Sequence, residues 1–94
     1  MDGIRFHSKK EARRWGELKL LEKAGEIWLL RRQLKYTLLV NDHQVGAYIA
    51  DFSYFSYDGL VVEDVKSPIT RRNPVYQLKK KLMFAIHGIT IVET

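Results

Sequence analysis

The chain predicts an α/β fold: one domain in the order α-β-β-β-α-β, with a mixed sheet covered by two helices. Three observations predict it. An apolar stripe at helical spacing opens the chain, and a second lies near its end. Between them run three strand-like segments separated by turn signals. The last strand-like segment, the second stripe and a final short apolar run form a βαβ pattern, which implies parallel strands and a right-handed crossover. The chain of 94 residues allows a single domain, 1–94, small but able to bury a core.

The elements follow in order. Ser8-Lys9-Lys10-Glu11 reads as a helix start, with Ser8 as N-cap and Glu11 as capping-box partner. Ala12, Trp15, Leu18, Leu21 and Ala24 continue at helical spacing, and Gly25 is a natural stop. Glu26 to Val40 is rich in strand formers, and its second part alternates. Asn41-Asp42-His43-Gln44 marks a turn. Two strands follow, Tyr48 to Phe55 and Leu60 to Lys66, joined by Asp58-Gly59, a strong hairpin signal. Ser67 to Asn73 reads as a loop. Asn73 then caps a helix with Pro74 at its first position, and Val75, Leu78, Leu82, Ala85 and Ile86 supply its apolar stripe. Gly88 ends it, and Ile89-Thr90-Ile91-Val92 is the last strand.

Composition narrows the function classes. Hydrophobic residues make up 46% of the chain, which argues against disorder. Sixteen Lys and Arg against eleven Asp and Glu leave a net charge of +5, favouring a polyanionic partner. With no cysteine, disulfides, thiolate metal sites and cysteine nucleophiles are excluded. No apolar run is long enough to span a bilayer, and Met1-Asp2-Gly3-Ile4-Arg5 has no signal-peptide pattern. A cytoplasmic location is expected, that of the host cell if the chain is phage-encoded.

The segment Leu60-Val61-Val62-Glu63-Asp64-Val65-Lys66 carries the sharpest signal. Alternation places Asp64 and Lys66 on one face and Glu63 on the other. A carboxylate and an ammonium side by side at a sheet end can hold a metal ion and a phosphate. If Asp58-Gly59 forms the turn, Tyr57 faces Leu60, Ser53 faces Asp64 and Asp51 faces Lys66. Asp51 and Asp64 are then diagonal neighbours whose side chains can converge. Lys66 lies at the C-terminal end of its strand, where α/β sheets place their sites.

Asp51, the Asp64-Val65-Lys66 triplet and the order αβββαβ resemble the PD-(D/E)XK nuclease superfamily, whose core is restriction-endonuclease-like. The phrases Ser-Lys-Lys-Glu-Ala-Arg-Arg, Ala-Asp-Phe and Glu-Asp-Val-Lys are similar to small phage-type members related to the Holliday junction resolvases and the VRR-NUC nucleases. The resemblance covers nearly the whole chain. One departure is Ala50, where a proline usually precedes the first Asp.

The resemblance implies roles for named residues. Asp51 and Asp64 would be metal ligands, joined by the Val65 carbonyl and by Glu11 from the first helix. Hard oxygen ligands with open water positions suit Mg²⁺, with Mn²⁺ as substitute. Lys66 would position the attacking water or stabilise charge on the phosphorane; a salt bridge to Asp51 would account for it equally. The capping box alone would account for Glu11, and Glu17 is its rival. Tyr76 and Gln77 follow the catalytic strand and are candidates for the site, or an ordinary helix face. His7, His43 and His87 lack metal-ligand spacing.

Basic clusters flank this site in sequence. Lys9, Lys10, Arg13, Arg71, Arg72 and Lys79 are the candidate DNA contacts, directed at phosphate because no base-reading motif is present. The expected function is a metal-dependent, structure-selective endodeoxyribonuclease, a Holliday junction resolvase acting as a homodimer, since two symmetric cuts suit a twofold. Trp15, Trp28 and Tyr54 would supply the dimer surface or the core. A nicking, flap or restriction-like nuclease shares every site residue. A non-catalytic basic DNA-binding module is the alternative of another class.

Overall fold

The computed structural model describes residues 3–94. Helix α1 spans Lys9–Lys23, strand β1 Trp28–Val40, β2 His43–Ser56 and β3 Gly59–Asp64. A short helix α2, Pro68–Arg71, precedes helix α3, Pro74–His87, and strand β4, Val92–Glu93. The fold is mixed α and β, with one four-stranded sheet in the order β1-β2-β3-β4. The first three strands form an antiparallel meander, and β4 lies parallel to β3. Among the described residues, no helix is long and apolar enough to cross a membrane.

Local chemistry sets the ends of the helices. The Ser8 side chain accepts from the Glu11 amide, and Asn73 accepts from Tyr76 at the start of α3, with Pro74 at its first position. Gly88 closes α3 at φ 67°, a conformation that costs glycine little. The segment expected to be a loop instead holds α2, because Ser67 and Thr70 form a reciprocal capping box. The α3 stripe is also rotated from its expected position. Tyr76 and Met83 are buried, whereas Val75 and Leu78 are exposed.

The sheet departs from the expected register in two places. Strand β2 begins at His43, because the Asn41-Asp42 pair alone makes the turn, both residues at positive φ. The second hairpin pairs Ser56 with Gly59, so Tyr57 and Asp58 are the central turn residues. Of the two turn signals, Gly59 carries the positive φ, 110°, from just beyond the turn. The register therefore shifts by two residues from the expected one, preserving the faces while changing the partners. The last strand is also shorter and later than Ile89–Val92.

The core has two halves, one on each face of the sheet. Val62 packs with Tyr48, Ala50, Tyr76 and Met83 beneath α3. Val61 packs with Trp15, Leu18, Phe52 and Tyr54 beneath α1. Of the three aromatics open to either dimer surface or core, Trp15 and Tyr54 are thus core residues and Trp28 is exposed. Ala50 and Phe52 lie on opposite faces although strict alternation would put them on one. The switch occurs at Asp51. Its neighbour across the ladder is Gln33, at φ 55°, between the pairs Arg32↔Phe52 and Leu34↔Ala50.

Candidate active site

Continuing the β2–β3 register one step past Phe52↔Glu63 sets Asp51 directly opposite Asp64. This corrects the expected diagonal placement and brings the two carboxylates closer, since directly opposed side chains lie about 4.5–5.5 Å apart at Cβ. The Val65 amide donates to Asp51 Oδ2 at 2.9 Å, which fixes Asp51 against the end of β3. Asp64 is 3% exposed. The Tyr48 hydroxyl donates to its Oδ2, and Lys66 Nζ lies 3.3 Å from the same oxygen. Lys66 therefore pairs with Asp64 and not with Asp51. Its ammonium also sits over the Tyr76 ring, 4.2 Å from the centroid.

Charge is concentrated here against the preference of the interior. Burial pushes the Asp64 carboxyl up to about 7, the adjoining Asp51 carboxylate adds to the push, and Tyr48 and Lys66 oppose it. Burial raises the Tyr48 phenol, and its bond to Asp64 raises it further. Two opposed carboxylates, one neutralised only in part, are the arrangement a divalent cation relieves.

Asp51 faces two recesses. One, an open groove of about 620 Å³, runs between α3 and the β1–β2 pair, with Lys35, Tyr76 and Lys79 on its walls and Asp51, Asp64 and Lys66 at its base. The other, of about 410 Å³, lies under the start of α1 and is lined by Glu11, Asp51, Val65 and Lys66. The switch in strand alternation gives one side chain access to both.

Glu11 is not the capping-box partner expected. Its amide donates to Ser8 Oγ at 3.1 Å, but its side chain turns inward and the residue is 3% exposed. Its Oε1 has no hydrogen-bond partner among the described residues, with Arg32 the nearest cation at 3.8 Å. Glu11 also lines the recess that Asp51 faces. Among the described residues, no three His, Cys, Asp or Glu side chains gather tightly enough to hold a metal alone. The Asp51–Asp64 pair still fits Mg²⁺, which is held through one or two carboxylates and keeps several waters.

The remaining expectations divide. Glu17 lies outside the site, half-exposed and paired with Arg14 at 3.2 Å. Tyr76 lines the groove and donates to Glu93 Oε2 at 2.6 Å. Gln77 is turned away and donates to the Arg71 carbonyl. Lys10 Nζ donates to the Lys66 carbonyl at 2.7 Å, so it braces the end of β3. Arg71 Nε pairs with Glu93 at 3.3 Å, while Lys9, Arg13 and Arg72 are exposed. His87 ends α3 and meets the Thr37 carbonyl at 2.9 Å.

Two features escaped the sequence. Tyr48 reaches Asp64 only because alternation switches at Asp51. Glu63, behind Asp64, is clasped by Arg14 Nε and NH2 at 2.8 and 2.7 Å, and the Tyr54 hydroxyl also donates to it. That bonding raises the Arg14 pKa, and burial followed by the Glu63 bond pushes the Tyr54 phenol up to about 12.

A family model described as "Protein of unknown function (DUF1064)" matches residues 1–90, and the chain belongs to that family. No curated protein matches the chain, and neither does any solved structure.

Proposed function

We propose that this DUF1064 family member is a Mg²⁺-dependent endodeoxyribonuclease with a restriction-endonuclease-like core, acting on branched DNA as a homodimeric Holliday junction resolvase. The reading combines the resemblance to the PD-(D/E)XK superfamily with one observation. Asp51 and Asp64 oppose each other across two strands, with Lys66 beside Asp64 at the base of an open groove.

Asp51 and Asp64 would hold the cation, with the Val65 carbonyl beside them and Glu11 in the adjoining recess on the α1 side. Bound there, Mg²⁺ supplies charge to polarise the scissile phosphate and to lower the pKa of a water. Lys66, beside Asp64 in the groove, would set its ammonium against the charge that develops on the phosphorane oxygens. Tyr48 would keep one Asp64 oxygen fixed. Lys35 and Lys79, on the groove walls, take flanking phosphates.

The test is cleavage of a four-way junction with and without Mg²⁺. Wild type is expected to cut only with the metal, and Asp64→Asn to lose about a hundredfold or more while keeping its junction affinity. Undiminished cleavage by Asp64→Asn overturns the site. Flap, nicked and linear substrates separate a resolvase from a nicking, flap or restriction-like enzyme of the same chemistry.

A second reading, a non-catalytic basic DNA-binding module, is favoured by one fact: Tyr48 and Lys66 already satisfy Asp64 without a metal. Junction binding indifferent to Mg²⁺, with no cleavage of any substrate, selects it.

A further inference from the structure

The face of β3 opposite Asp64 carries a second polar cluster. Glu63 is 1% exposed, deeper than either aspartate of the site. Both of its oxygens are taken by one guanidinium, Arg14 Nε to Oε1 at 2.8 Å and NH2 to Oε2 at 2.7 Å. The Tyr54 hydroxyl donates to Oε2 as well. A parallel two-bond fork of this kind is directional, unlike the apolar packing around it. Trp15 stacked on Phe52 at 5.8 Å, and Leu18 beneath them, would tolerate a small slide of α1 along the sheet. The fork would not, because a displacement of an ångström breaks both bonds.

The two ends of this clasp lie next to the site. Glu63 precedes Asp64 in β3, and Arg14 follows Glu11 by one helical turn in α1. We infer that Arg14 and Glu63 are positioning residues, which lock the register of α1 on β3 and thereby set where the Glu11 carboxylate stands in the recess it shares with Asp51. This rests on the metal-site reading above. Among the described residues the Glu11 side chain has only long contacts, 3.8 Å to Arg32 and 3.8 Å to His7. Lys10 braces the Lys66 carbonyl through a flexible stem.

The experiment titrates the metal-free protein with Mn²⁺ alone, following binding by calorimetry and folding by circular dichroism. Wild type is expected to bind Mn²⁺, and Asp64→Asn to weaken that binding. Arg14→Lys keeps the charge but cannot form the fork, and is expected to lose about tenfold to a hundredfold in Mn²⁺ affinity, the range for groups that orient metal ligands. A triple variant, Arg14→Met with Glu63→Met and Tyr54→Phe, removes the whole cluster without leaving a buried charge or hydroxyl unpaired. Apolar replacement of a buried pair keeps or raises stability, so this variant is expected to fold and still bind Mn²⁺ weakly. Adding Glu11→Gln distinguishes positioning from plain scaffolding. The Glu11 substitution should cost affinity in wild type and little in the triple variant, where that carboxylate is already misplaced. Full Mn²⁺ affinity in a folded Arg14→Lys or triple variant overturns the inference, as does an undiminished Glu11→Gln effect in the triple background. Mn²⁺ binding indifferent to Asp64→Asn overturns the metal-site reading itself, and the inference falls with it.

Discussion

Tyr48 donates its hydroxyl to the same Asp64 oxygen that Lys66 approaches at 3.3 Å. The bond restrains the Asp64 pKa, because it favours the ionised carboxylate. Tyr48→Phe is expected to move the Asp64 titration above about 7 and to destabilise the fold by about 1–3 kcal/mol, the range for a buried hydrogen bond to a charged group. Carbon-detected NMR of the carboxyl and a denaturant melt check both. An Asp64 pKa that stays in place removes Tyr48 from the site.

Stability should follow the titration of Asp64. Its folded pKa, about 7, lies above its ordinary 3.8, so the folded chain holds the proton more tightly than the unfolded one. The stabilisation is full below 3.8 and is lost as pH rises through about 7. Glu93 runs the other way. Burial opposes its ionisation, but bonds from Tyr76 and Lys80 outweigh burial and hold it below its usual value, so its contribution disappears in acid. The difference between wild type and Asp64→Asn isolates the first trend: Asp64→Asn gains relative stability as pH rises from 3.8 to about 7, the interval between the unfolded and folded values. Mg²⁺, which needs the ionised pair, is expected to raise the melting temperature more at the alkaline end.

The inward turn of Glu11 separates two substitutions that the sequence would have confused. Ser8→Ala removes the bond to the Glu11 amide, 3.1 Å long, and should cost about 1 kcal/mol of stability. Glu11→Gln leaves that cap intact and should leave thermal stability near wild type while lowering Mn²⁺ affinity. A Glu11→Gln variant that melts early and binds metal normally would return Glu11 to a helix-end role.

The arginines after Lys66 are no longer equivalent. Arg72 is exposed and makes no ion pair among the described residues, so Arg72→Ala should lower the slope of log affinity against log salt by about 0.9. Arg71 already pairs with Glu93, so Arg71→Ala should lower it by less and loosen the α2–β4 contact. Filter-binding over a salt series measures both slopes, and equal slopes would show that the Glu93 pair opens on DNA.

What was legible in the chain was what local chemistry decides. Ser8, Asn73-Pro74 and Gly88 marked helix ends because their side chains, or the lack of one, act on backbone within a single turn. Asp51, Asp64 and Lys66 were legible as a group because a register error of two residues preserves the face. The error itself arose because Asp58-Gly59 can sit inside a turn or across its exit, and dipeptide chemistry does not distinguish the two. Tyr48 and Ala50 were illegible because Gln33 at φ 55° and the switch at Asp51 break the alternation used to assign faces. Alternation alone turns Glu63 away from Asp64, but its partner, 49 residues distant in sequence, leaves no local trace.

The seam between β3 and β4 is narrow, with only Glu63↔Val92 and Asp64↔Glu93 in register, extended by the Lys66–Thr94 and Thr94–Asp64 backbone bonds. A unit tied in by so few rungs opens before the meander does. Loss of this seam would release Glu93 from Tyr76, Arg71 and Lys80 and leave α3, one wall of the groove, held by the packing of Tyr76 and Met83, while Asp51 and Asp64 stay in the remaining sheet. Native-state hydrogen exchange is expected to find the α3–β4 amides less protected than those of β2, and DNA lying in the groove to slow their exchange. The molecule would then behave as a firm three-stranded anvil with a loosely latched jaw, and capturing a strand would be an act of local refolding.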